Sequence, residues 1–230
     1  MKIKNYIYLL FAASMVVFAG CKYDNYVQPQ AVLTGKINYQ GQAIGIKSNV
    51  VQLELWQRGF QLFSKIQVYP TQDGTYSAQL FDGNYFLTYL KGVGPWVTKT
   101  DTVPVTVKGN TVVDFPIEPY YFIKTSSFVK TGTNIVGTLT LQRVNATQTL
   151  NSVSIYLSTG IIIDNVFPGL SGGSATVLAA AITDPAAPIT ITIAIPAALA
   201  TKDYLYARVG VKTNTVTELA YGVAQKIALK

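Results

Sequence analysis

The sequence predicts an all-β protein, two tandem β-sandwich domains following an export leader. Three observations carry this. Apolar residues alternate with polar ones in short runs along most of the chain after residue 31. Asp-Gly pairs punctuate these runs. No window holds the 3.6-residue apolar period of an amphipathic helix.

The leader comes first. Lys2 and Lys4 precede an apolar stretch over residues 6–19, and Val17-Phe18-Ala19-Gly20 runs into Cys21, the sole cysteine of 230 residues. A charged start, a short apolar core and small residues are the pattern of a secretory signal peptide. Small residues ending on a cysteine resemble a bacterial lipobox, in which the thiol is lipidated and the chain is cut just before it. A membrane-spanning helix is disfavoured, because a span needs roughly 20 apolar residues. A chance cysteine would leave an exported chain with an unpaired, reactive thiol. Residues 1–20 are therefore expected to be a signal peptide, Cys21 the lipidation site and residues 21–30 a polar tether. With Lys2 and Lys4 removed, the formal charge falls from +7 to +5.

A first domain is expected over residues 31–119. Residues 32–39 read as a strand. In the run 51–56, Val51, Leu53 and Leu55 share one face, and Gln52, Glu54 and Trp56 the other. Asp73-Gly74 and Asp82-Gly83-Asn84 are turn signals bracketing a strand at 75–81 and starting another at 85–90. Val103, Val105 and Val107 alternate around Pro104, which suits an edge strand. Val113, Phe115 and Ile117 alternate next. A boundary is expected at Pro119-Tyr120-Tyr121, the two tyrosines packing at the junction.

The second domain, residues 120–230, is richer in Thr, Ser, Ala and Ile. Leu139/Leu141, Val153/Ile155/Leu157 and Ile189/Ile191/Ile193/Ile195 each alternate with polar or small residues. Leu205, Ala207, Val209 and Val211 form an inward face opposed by Tyr204, Tyr206 and Arg208. Several strands separated by turn signals suit a sandwich. Residues 170–187 read as a long connection with one helical turn near 179–181, and residues 196–200 as another short turn.

Composition narrows the chemistry. The chain is 49% hydrophobic and 13% charged, enough to build a core. There is no histidine, which excludes Ser-His-Asp and Cys-His machinery and histidine metal sites. No phosphate-binding GxxxxGK loop occurs. The basic residues are scattered rather than clustered, so no nucleic-acid partner is expected. Asp73 and Asp82 sit in turns, where the side chain caps backbone, rather than as a glycosidase pair. No catalytic residue, metal site or cofactor is expected.

Several motifs together carry a family resemblance. Gly74-Thr75-Tyr76 with Leu80-Phe81-Asp82-Gly83-Asn84-Tyr85 resembles the heart of carboxypeptidase-regulatory-like, transthyretin-like domains, as do residues 33–37 and 105–111. Cys21-Lys22-Tyr23-Asp24-Asn25-Tyr26, Pro119-Tyr120-Tyr121 and residues 206–211 are similar to the two-domain Bacteroidetes lipoproteins of domain-of-unknown-function family 3823. The resemblance implies a transthyretin-like first domain and an immunoglobulin-like second one. It also implies an outer-membrane lipoprotein, facing the periplasm or the cell surface, that works beside SusC/SusD-like glycan-uptake proteins. It supplies no catalytic residues. A structural or adhesive surface module engaging a protein partner is the competing expectation. Asp101-Thr102-Val103 matches a Bacteroidetes O-glycosylation pattern, which makes Thr102 a candidate glycan acceptor.

A glycan-binding module pairs an aromatic plate with polar side chains, because sugars present apolar faces and hydroxyl edges. The candidates are Trp56, with Arg58 continuing its face, then Phe60, and Trp96 in the loop-like Gly92-Val93-Gly94-Pro95-Trp96. The opposing expectation for each tryptophan is ordinary packing, since tryptophan is mostly buried.

Overall fold

The structure is a computed structural model describing residues 27–166 and 172–230. The leader and Cys21, with the expectations placed on them, lie outside the described residues. The first half folds as β1 (Ala31–Tyr39), β2 (Gln42–Ala43), β3 (Leu53–Trp56), β4 (Lys65–Val68), β5 (Thr75–Leu80), β6 (Gly83–Tyr89), β7 (Val103–Val107), β8 (Asn110–Val112) and β9 (Phe115–Pro116). β1 anchors one sheet, pairing antiparallel with β2 and β5 and parallel with β8 and β9. The other sheet runs β4-β3-β6-β7, antiparallel throughout. Its edge strand β7 carries Pro104, which has no N–H to offer a further neighbour.

The two sheets face each other. Leu33 and Ile37 of β1 meet the side of the second sheet that carries Leu53, Leu55, Leu87 and Val105. Alternation dictates this: every second residue of each strand turns inward. Each such side chain contributes roughly 1.5–3 kcal/mol by leaving water.

The second half folds as β10 (Tyr121–Thr131), β11 (Asn134–Arg143), β12 (Leu150–Ser158), β13 (Gly173–Leu178), β14 (Ile189–Ala194), β15 (Tyr204–Thr213), β16 (Ala220–Tyr221) and β17 (Gln225–Ala228). One sheet is β10-β11-β14; the other is β13-β12-β15, with β16 and β17 both on the far side of β15. Ile135, Leu139, Ile189 and Ile191 of the first pack on Val153, Ile155, Leu205 and Val209 of the second. The short turns expected near 179–181 and 196–200 are a 3-10 turn at Ala179–Ala181 and a one-turn helix at Ala197–Ala200. No helix among the described residues is long and apolar enough to cross a membrane.

Two expectations are corrected here. Residues 170–187 are not simply a connection: they contain β13, whose partly buried Ala175 and Val177 pack on the core. Small side chains hid its alternation. The face opposed to Leu205, Ala207, Val209 and Val211 does not leave Arg208 exposed. Arg208 is fully buried, with Ser152, Ser154, Tyr156 and Ser158 of neighbouring β12 also buried: Ile163, Leu219 and Tyr221 pack beside Tyr156, and Ile46 and Gln72 of the first half reach Arg208.

Arg208 is the centre of that junction. Its Nε donates to Gly222 O at 2.8 Å, Nη1 to Ile163 O at 2.6 Å and Gln72 Oε1 at 3.2 Å, and Nη2 to Gln72 O at 2.7 Å and Ile46 O at 3.2 Å. The guanidinium also lies 4.5 Å from the centre of the Tyr221 ring. Burial lowers its pKa to about 10, so the side chain stays charged at neutral pH. Gln72 Nε2 donates to Ile161 O at 2.7 Å and Tyr221 N to Gly45 O at 2.9 Å, tying the halves together. Tyr120 and Tyr121 are buried where the halves meet, and Tyr39 packs on Phe122 with ring centres 5.4 Å apart.

Candidate functional site

The outward face of the β4-β3-β6-β7 sheet gathers most of the sequence candidates. β3 turns Leu53 and Leu55 inward, so Gln52, Glu54 and Trp56 point outward. Glu54 and Gln52 are nevertheless buried, overlaid by their neighbours. The Glu54 carboxylate accepts from Gln52 Nε2 at 3.1 Å, from Trp56 Nε1 at 3.3 Å and from Lys65 Nζ at 2.6 Å. Lys65 reaches it because it pairs across the sheet with Trp56, one strand over. Tyr69 Oη donates to Gln52 Oε1 at 3.1 Å and extends the network.

Above this polar layer sit the aromatics. The Trp56 ring packs on Phe63 with centroids 5.0 Å apart and planes tilted by 36°. Arg58 holds its guanidinium 4.9 Å from the centre of the Phe86 ring, and Phe86 is the β6 partner of Trp56. The loop over residues 57–64 then projects Phe60, Leu62 and Phe63, which are 62%, 81% and 55% exposed. A ring braced by a buried carboxylate and edged by amide, ammonium and phenol groups can take an apolar surface on its face and hydroxyls at its rim.

The structure thus puts Trp56 and Arg58 on one face, through the Phe86 ring that pairs with the first and lies under the second, carries Phe60 out on the adjoining loop, and separates Trp96 from them. Trp96 is 2% exposed and is not displayed on its loop. It stacks edge-on to Tyr89 at 6.0 Å and pairs with Pro119, filling the junction end of the first sandwich. Gly94 makes this possible: its φ of +118° suits glycine, and a Cβ there would collide with the indole. Trp96 Nε1 is buried without a hydrogen-bond partner among the described residues. Thr102 is exposed in the segment before β7, which leaves it accessible. Asp82 Oδ1 accepts from Gly109 N at 2.9 Å and so pins a neighbouring turn. Among the described residues, no group of three or more His, Cys, Asp or Glu could hold a metal ion.

Sequence reasoning did not single out Phe63, Lys65 or Tyr69. The strand that positions Lys65 is four residues long, and its outer members are a lysine and a glutamine, so alternation gives little signal. The buried role of Arg208 was likewise hidden, because a charged residue opposite an apolar face reads as solvated. A separate cleft of about 420 Å³ opens at the junction, lined by Gln42, Ile44, Phe122, Lys124, Tyr221 and Gln225 among others.

Known proteins agree with this architecture. The family model "Protein of unknown function (DUF3823) N-terminal domain" matches residues 31–118, and "Domain of unknown function (DUF3823_C)" matches residues 121–226. A DUF3823 family protein from Bacteroides ovatus is 39% identical with a TM-score of 0.81, covering 87% of this chain and 100% of its own. One from Parabacteroides merdae is 30% identical with a TM-score of 0.77 and the same coverage. A Bacteroides uniformis structure named a "putative carbohydrate binding protein" is 20% identical with a TM-score of 0.67, covering 87% of this chain and 100% of its own, and shows a shared fold. A search of curated proteins finds no match. Two adjoining family models over almost all of both sandwiches, with relatives matched along their full length, establish that the chain belongs to the DUF3823 family.

Proposed function

We propose that this protein is a non-catalytic lipoprotein, held at the outer membrane through Cys21, that binds glycan on the outer face of the β4-β3-β6-β7 sheet as an accessory to a SusC/SusD-like uptake system. The observation that carries the reading is the Trp56 platform: an indole fixed by Glu54, packed on Phe63 and bordered by Lys65 and the Gln52–Tyr69 pair. An indole held in place loses little conformational freedom on binding, which is why preorganised aromatics serve well in recognition. The name of the Bacteroides uniformis structure supports the same ligand class. The absence of histidine and the structural duty of Asp82 support a binding role over a hydrolytic one.

Affinity electrophoresis of the mature protein through polysaccharide gels tests the reading. Retardation by at least one polysaccharide is expected, with Trp56→Ala abolishing it and Trp96→Phe leaving it unchanged. Equal mobility in every gel would reject glycan binding. Metabolic labelling with a fatty-acid analogue tests the anchor separately, with label expected on the wild type and absent from Cys21→Ser. Recovery of the protein from membranes as a homopolymer, with no uptake-system partner, would favour the structural or adhesive role.

A further inference from the structure

The 57–64 loop and the start of the fold lie at the same end of the first sandwich. Gln79 Nε2 donates to Pro29 O at 2.7 Å, which fixes the last tether residues beside the end of β5. Ala31 pairs with Leu80, and the chain then turns through Phe81 and Asp82 into Gly83, the first residue of β6. Val32 N donates to Gly109 O at 3.2 Å, and Gly109 N to Asp82 Oδ1 at 2.9 Å. A Cβ on Gly83 would stand 2.6 Å from Gln57 Nε2, the first side chain of the loop. The junction with the second half lies at the other end of these strands, where Tyr39 meets Phe122 and Trp96 pairs with Pro119.

That tether end is also the apolar end. Phe60, Leu62 and Phe63 of the loop, with Phe81 of the β5–β6 turn, are all exposed there. Arg58 belongs to the same loop, with its guanidinium over the Phe86 ring, and exposed Lys108 precedes Gly109, whose N–H donates to the Asp82 carboxylate. From Cys21 to Pro29 the chain can extend at most roughly 30 Å. A lipid on Cys21 therefore keeps this end, and not the opposite one, beside the bilayer. Apolar tips with basic neighbours are the chemistry of an interfacial membrane contact: rings and aliphatic groups enter the headgroup region while cations meet phosphates.

We infer that the 57–64 loop rests in the phospholipid surface, with Phe60 and Leu62 inserted and Arg58 and Lys108 on lipid phosphates, so that lipid and loop together orient the first domain. This rests on the anchorage at Cys21 proposed above. It also divides the sequence candidates by role: Trp56 belongs to the sheet face, and Phe60 to the lipid contact.

The experiment uses the mature lipidated protein in vesicles of phosphatidylethanolamine and phosphatidylglycerol. Lipidation consumes the only native thiol, so a polarity-sensitive dye can be placed by L62C, and by V129C as a control on the β10–β11 hairpin of the second half. The expected result is blue-shifted L62C emission, quenched at least twofold by headgroup-region spin-labelled lipid, with V129C emission unchanged. Water-like L62C emission in protein that floats with the vesicles overturns the lipid contact and leaves the anchorage standing. Protein that does not float overturns both. A blue shift seen in native outer membranes but absent from the pure lipid vesicles assigns the loop to a protein partner and overturns the inference.

Discussion

At the scale of single residues, Arg208 and Glu54 show how a buried charge can hold a structure together. Arg208 has no ion pair among the described residues; it is held by neutral oxygens and the Tyr221 ring. Arg208→Met removes the donor to Gly222 O, Ile163 O and Ile46 O, while Gln72 O and Gln72 Oε1 keep those of Ile46 N and Ile163 N, and is expected to lower stability by roughly 3 kcal/mol. Urea unfolding followed by intrinsic fluorescence measures it. Arg208→Lys keeps the charge but loses the planar fork, so it should recover only part of the loss. At Glu54, replacement by Ala removes one acceptor from Trp56, Gln52 and Lys65 together. A cost of about 1–2 kcal/mol is expected. A red shift of Trp56 emission in a Trp96→Phe background would show that the ring has come loose.

Elements explain which parts of the fold could be read in advance. β7, β12, β14 and β15 were legible because apolar residues alternate with polar or small ones along them, and β5 and β6 because Asp73-Gly74 and Asp82-Gly83-Asn84 mark their ends. β13 was not, because Gly173, Ser174 and Ala175 give too little contrast between faces. β4 was not, because it is short and the inward Ile66 is itself exposed at the sheet edge. The loop 91–96 was legible as a loop but not as a buried one: its glycines suggested display, whereas Gly94 instead makes room for the indole. Gly94→Ala is accordingly expected to cost about 2 kcal/mol or more, through both the positive φ and the lost space. A thermal melt of this variant beside Gly92→Ala separates the causes, since Gly92 shares a positive φ but has open space around it. For the candidate site, alternation could place Trp56 outward. The same alternation put Gln52 and Glu54 on its face, but Lys65 of β4 and Tyr69 just beyond it, which complete the network, no local pattern announced.

For the molecule as a whole, pH is informative at the alkaline end. Burial raises the pKa values of Tyr76, Tyr85, Tyr120, Tyr156 and Tyr221 above that of a free phenol. Above pH 10 the unfolded chain loses phenolic protons that the folded chain retains. Arg208, its pKa lowered by burial, acts the other way, but five phenols outweigh one guanidinium; folded protein then binds more protons than unfolded, so stability falls as pH rises through and beyond 10. Denaturation midpoints at pH 8 and pH 11 should show a clear loss at the higher value. A flat profile would contradict it.

The joint between the two halves has a further consequence for how the chain withstands attack. Val97 N donates to Glu118 O at 2.9 Å and Tyr120 N to Pro95 O at 3.2 Å, so the residues that pass between the family's two regions are themselves held as sheet-like backbone. Proteases need an exposed, pliable stretch to cut, and connections between domains usually supply one. Here the hinge is missing. The boundary that divides the family models is a place where relatives are compared, and not a place where the molecule comes apart.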